Sequence, residues 1–160
     1  MASDIFLKIG DIKGESLDDK HKDEIDVMSF SWGLTQAGTA HPVGGASIGK
    51  AQFSDFNFTS NMSKASPKLF LACATGEHIK EATLSGRRPG GDKQSDYIVI
   101  KMTDVLISSY QTAGAQGGSP TDAVSMAYAK IEFAYTSQGA DGRPSETVKA
   151  GWDLKANKKV

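Results

Sequence analysis

A single cysteine, Cys73, stands in a chain of 160 residues, so no intrachain disulfide can form. Small secreted domains usually carry several bridges, and their lack here points to folding in a reducing cytoplasm. Long apolar runs are missing as well. The longest mainly apolar stretch, Leu69 to Gly76, is far too short to span a bilayer. Met1 to Gly10 has no charged-then-apolar block and no small-residue cleavage site, which excludes an ordinary secretory signal. If the protein leaves the cell, it does so by a route that reads no N-terminal signal. Excess charge is also lacking: a net charge of −1 argues against a nucleic-acid binder, which needs a basic face to displace counterions.

Glycine, by contrast, is abundant, with 17 residues against a usual share of about 7%. The glycines cluster between apolar runs, which reads as many turns joining many short strands. Strand candidates are Asp4–Asp11, Ile25–Leu34, Gln52–Ser60, Lys80–Leu84, Asp96–Tyr110, Ala123–Thr136 and Glu146–Leu154. In the second, Met28, Phe30, Trp32 and Leu34 alternate with Val27, Ser29, Ser31 and Gly33, which predicts a bulky face on a core and a small polar face towards water. The aromatic period slips by one between Phe53 and Phe56, so a β-bulge is expected near Ser54–Asp55. Asp96–Tyr110 is long enough to bend and serve two sheets. One short helix over about 67–75 is signalled by Ser66 as N-cap, Pro67 at the first position, Leu69, Phe70, Cys73 and Ala74 as apolar face, and Gly76 as stop. The expectation is one domain, 1–160, built as an antiparallel β-barrel or sandwich with one short flanking α-helix.

Catalytic and ligand motifs fail on inspection. Gly44 to Ala51 fits G-x-x-x-x-G-K, but Ala51 replaces the magnesium-binding hydroxyl and a strand follows where a P-loop needs a helix. Gly86-Arg87-Arg88-Pro89-Gly90-Gly91-Asp92 reads as a solvated hairpin tip rather than an anion site. His21, His41 and His78 lie on separate segments without metal-site spacing, and Cys73 lies on an apolar helix face where an inert thiol is usual. Carboxylates are spread evenly and no acid–base pair shares a strand face. The chain therefore reads as no enzyme, with no cofactor and no metal.

Several stretches resemble the haemolysin-coregulated protein (Hcp) family, the tube subunit of the bacterial type VI secretion system. They are Met1 to Ile9 with Ile12 to Ser16, Asp19 to Ile25 with Ser29 to Gly33, Lys64 to Phe70 with Ala72 to Gly76, the strand of Tyr97 and Tyr110, and Trp152-Asp153. The resemblance spans the whole chain and implies a β-barrel-like sandwich with a flanking helix. It also implies homo-hexameric rings stacked head to tail into a hollow tube, driven by a contractile sheath behind a spike protein, with effector proteins held in the lumen. Export from the bacterial cytoplasm through that apparatus needs no signal peptide, and a chain ending at Val160 leaves no room for an appended toxin domain. No nucleic-acid contact and no membrane insertion are implied.

On this reading a lumen must be wettable and unobstructed, which places Ser29, Ser31 and Gly33 towards it and towards effectors. The long, nearly uncharged segment Thr35–Lys50 is the expected ring-to-ring contact, through Gly38, His41, Val43, Gly44, Ile48 and Lys50. Phe30, Trp32, Phe56, Phe58, Phe70 and Trp152 are expected as core or interface anchors. The competing reading is a small monomeric β-barrel that binds a peptide or small molecule. Oligomeric state separates the two.

Overall fold

The computed structural model describes residues 4–37, 50–88 and 95–160. Its elements in chain order are β1 (Asp4–Ile9), β2 (Ile25–Asp26), β3 (Ser29–Ser31), β4 (Leu34–Thr35), β5 (Gln52–Phe53), β6 (Phe56–Asn61), α1 (Ser66–Thr75), β7 (His78–Arg87), β8 (Asp96–Ala113), β9 (Thr121–Gln138), β10 (Pro144–Asp153) and β11 (Lys158–Lys159). All strand pairs are antiparallel. β8 and β9, 18 residues each, form one long hairpin that is the spine of the molecule. β7, then β1, then β2 extend the sheet from β8. β6 with β3 docks on the first half of β9, and β10 with β11 on its second half.

The spine was expected to serve two sheets; it serves instead both halves of one sheet, because its backbone bends. Asp104 adopts a left-handed φ of 54°. Around it the buried alternation of β8 slips by one, with Ile100 and Met102 inside before it and Val105 and Ile107 inside after it. The register of β8 against β9 is unbroken there and shifts further on, between Ile107 and Ser109. The two sheet halves enclose a core of Leu7, Ile9, Phe56, Phe58, Leu84, Ile100, Met102, Val124 and Met126, with Leu69 and Ala72 added from α1.

Three expectations change in detail. The barrel is not closed by a continuous ladder, so a sandwich describes it better. Ile25–Leu34 is not one strand but three pieces, because it changes partner: β2 pairs β1, β3 pairs β6, and β4 pairs β5. Single hydrogen bonds from Val27 N to Ile5 O (2.9 Å) and from Met28 N to Thr59 O (2.8 Å) carry it across the seam. Its bulky face is accordingly only half covered, with Phe30 stacked on Phe56 while Met28 and Leu34 are exposed. The expected bulge is there in substance: Trp32 and Gly33 lie opposite Ser54, Asp55 and Phe56, one extra residue on the second strand.

The helix starts one residue earlier than its sequence signals imply. Ala65 occupies the cap without a side-chain bond, and Ser66 is the first helical residue. Its hydroxyl donates to the buried Asp122 of β9 and accepts from Ser63 N–H at 3.0 Å, ahead of the helix rather than within it. Pro67 is accordingly the second helical residue rather than the first, and the left-handed Gly76 (φ 67°) ends the helix as expected. The buried face is Leu69 and Ala72 with half-buried Cys73, whereas Phe70 is 57% exposed.

Candidate functional site

β3, β6, the start of β9 and the end of β8 lie side by side, and their outward residues form a shallow concavity of about 230 Å³. Alternation explains its chemistry. The inward partners Phe56, Phe58, Val124 and Met126 fill the core, which leaves Ser29, Ser31, Asn57, Thr59, Ser109, Gln111, Ala123 and Ser125 outside. No charged side chain lines this surface. Its hydroxyls and amides bond one another: Ser29 Oγ to Thr59 Oγ1 at 2.6 Å, and Ser125 Oγ donating to Asn57 Oδ1 at 2.5 Å. Such a face is wettable and without net charge. It can accept and donate hydrogen bonds to a protein surface but has no group to attract or hold an ion.

Of the residues singled out in the sequence, Ser29 and Ser31 are exposed on this face. Gly33 is half-buried beside it, its N–H accepted by Ser54 Oγ at 2.8 Å. Gly38, His41, Val43, Gly44 and Ile48 lie outside the described residues, and Lys50 is exposed. The serines were legible from alternation. Asn57, Thr59, Ser109, Gln111 and Ser125 were not, because neighbouring them requires the pairings of β6, β8 and β9.

A second cluster was missed altogether. Arg87, expected on a solvated tip, ends β7 and is 4% exposed, held by Asp18 at 2.5 and 2.9 Å and facing Asp4 at 3.5 Å. This Arg87 hydrogen bond brings the Asp18 carboxyl down to about 2. His21 is 6% exposed, stacked on Phe6 with ring centroids 4.5 Å apart. Its Nδ1 meets Glu24 at 2.8 Å and its Nε2 meets Asp96 at 3.0 Å. Burial opposes charge on this ring, but the hydrogen bonds of Asp96 and Glu24 together outweigh it and raise the His21 pKa above 6.5. Both ring nitrogens facing carboxylates suit an imidazolium that donates twice. Asp26, nearby, is raised by burial and by the charges of Asp4 and Asp18. The His21–Glu24 spacing was the only local hint; Asp96 is 75 residues from His21.

A histidine raised in the folded state contributes stability that is complete below its unfolded pKa and is lost as pH rises through the folded one. His21→Gln is therefore expected to cost more at about pH 6 than at about pH 9, measured by urea unfolding midpoints. An equal cost at both values would show that the ring is uncharged.

The family model described as "Type VI secretion system effector, Hcp" matches residues 6–135. Protein hcp1 of Pseudomonas aeruginosa is 42% identical over 159 residues, covering 98% of both chains. The chain belongs to the Hcp family of type VI secretion proteins. Among solved structures, a type six secretion system protein superposes with a TM-score of 0.93 at 35% identity, covering 99% of this chain and 100% of that one. Hcp1 of Salmonella typhimurium gives 0.82 at 35% identity with full coverage of both. The Hcp match contains every residue of the uncharged face and the whole charged cluster except Asp4, and leaves β10 and β11 beyond it. Among the described residues of this Hcp chain, no three His, Cys, Asp or Glu side chains are grouped to hold a metal.

Proposed function

We propose that this Hcp chain, acting as one domain, is a ring subunit of the type VI secretion tube. Six copies form a ring, rings stack head to tail, and the uncharged face lines the lumen and holds effectors. The observation that carries the reading is that face: a concave surface of four strands without one charged side chain, in a chain of this family. A conduit for varied cargo benefits from short neutral side chains, which neither obstruct passage nor favour one sign of charge. The remaining partners follow from the same reading: spike and sheath proteins, with export from the cytoplasm through the apparatus. Ring-to-ring contact is assigned to Gly38, His41, Val43, Gly44, Ile48 and Lys50.

Purified wild type is expected to scatter light as about six copies of the 17.0 kDa chain. A stable monomer at all concentrations would favour the small binding module instead. Ser31→Gln should leave rings intact while reducing co-purified effector at least tenfold, since a longer side chain fills the concavity; unchanged effector recovery would remove Ser31 from the cargo surface. In the same preparations, deletion of residues 38–46 should stop tube growth seen by electron microscopy and spare single rings. Normal tubes would take the stacking role away from that segment.

A further inference from the structure

The segment between β1 and β2 holds an apolar side chain in water at considerable structural expense. Leu17 is 94% exposed, yet both its neighbours are fixed. Ser16 is 2% exposed, its N–H bonded to Glu24 O at 3.0 Å and its carbonyl accepting Asp23 N–H at 2.9 Å. Asp18 is bridged to the buried Arg87, and His21 is locked to Asp96. Scattered exposed leucines are ordinary on mobile loops. A leucine displayed by a rigid strap, with the exposed acids Glu15 and Asp19 beside it, is a preorganised knob.

The opposite edge of the sheet carries a matching hollow. On the outer side of β8, β9 and β10 lies a concavity of about 420 Å³, floored by Val99, Ala134 and Gly151 and bordered by Val160. Its lining also holds Lys101 and Glu132, of opposite sign, and Lys149; Lys158 and Lys159 lead into Val160. A Cβ at Gly151 would lie 3.0 Å from Glu132 Cγ and 3.2 Å from Ile131 O, a tight fit, and the glycine keeps the floor low there. The two edges are opposite in charge. Residues 4–26 hold eight acidic and four basic side chains, while residues 143–160 hold five basic and two acidic.

We infer that Leu17 of one protomer docks into the Val99–Ala134–Gly151–Val160 hollow of a second copy of this chain, with Glu15 and Asp19 facing Lys149 and the terminal lysines. Knob and hollow are different patches on opposite edges of one protomer, which makes the contact heterologous, and a heterologous contact closes into a ring when its rotation permits. The inference rests on the ring reading above and names its lateral interface.

The test is light scattering over a concentration series at physiological salt, with circular dichroism confirming that each variant is folded. Leu17→Glu places a charge in the hollow and should weaken assembly at least tenfold. Asp19→Lys and Lys149→Glu should each weaken it about fivefold, and the combined variant should recover to near wild type. A wild type that is monomeric throughout overturns the ring reading and this interface together. An assembled wild type with Leu17→Glu equally assembled overturns this interface alone. Weakened single variants without recovery in the combined one overturn the pairing of these two patches.

Discussion

Replacing Phe56 by alanine is expected to cost about 3–5 kcal/mol, a large part of the total stability of a domain this size. Phe56 is fully buried in β6, opposite Met126 of β9, and its ring lies stacked on Phe30 at 5.8 Å. Removing it takes apolar surface out of contact and leaves a hole that the spine strand β9 cannot close, because its ladder with β8 holds it in place. The melting temperature should fall by on the order of 10 °C. Phe70→Ala is the control. Its ring is mainly exposed and touches Tyr110 edge-on at 6.4 Å, so its loss should stay within about 1 kcal/mol. Similar effects at both positions would mean that the helix buries a different face from the one described.

The second large effect is expected at Asp122, which is 2% exposed at the start of β9. One carboxylate oxygen accepts from Ser66 of α1 and the other from Tyr110 Oη of β8 at 2.9 Å. Burial, with the neighbouring Asp122 second, raises the Tyr110 pKa, so the phenol stays protonated and donates at any ordinary pH. Asp122→Ala leaves two hydroxyls without their acceptor and unpins the helix from both spine strands. The expected loss is roughly 2–4 kcal/mol, with α1 amides exchanging faster than those of the distant β7–β8 ladder. Asp122→Asn keeps one acceptor and should recover part of the loss. A stability change below about 0.5 kcal/mol for Asp122→Ala would show that the helix is held by Leu69 and Ala72 alone.

Local stereochemistry was the most readable part of the chain. Pro67 and Gly76 bracket the helix because each has a backbone requirement satisfied only at such a position. Ser29 and Ser31 were readable for a similar reason, since a two-residue period places them opposite Phe30. What resisted reading depended on distant partners. Arg87 sits in a run of glycine, arginine and proline that looks like any exposed turn, and only acids distant in sequence, Asp18 at 69 residues and Asp4 at 83, draw it inside. Ser66 has the right side chain for a cap, but it stands inside the first turn, where its partners are Ser63 N–H and the distant Asp122. Phe70 belongs to an apolar stretch whose buried side is chosen by the sheet beneath, not by the helix. Among the described residues there are eleven strands against seven expected: two of the extra four arise because Ile25–Leu34 passes between three partners, one because Gln52–Ser60 splits into β5 and β6, and the last is β11.

The pairing order has a consequence for how the chain leaves the ribosome. β6 can pair the upstream β3, and β1 the short β2, but β6 gains its longer ladder only when Thr121–Met126 has been made, and β1 gains its own only with β7, whose other neighbour β8 comes later still. During synthesis Phe56 and Phe58, with only Phe30 and its short strand beside them, therefore wait for a strand more than sixty residues downstream. Little sheet can close before the spine hairpin is complete, after which both flanks have edges on which to settle. The nascent chain thus spends most of its synthesis without a core, and its folding is a late, concerted event whose long-range contacts make it slow and leave its apolar strands open to aggregation or to a chaperone in the interval.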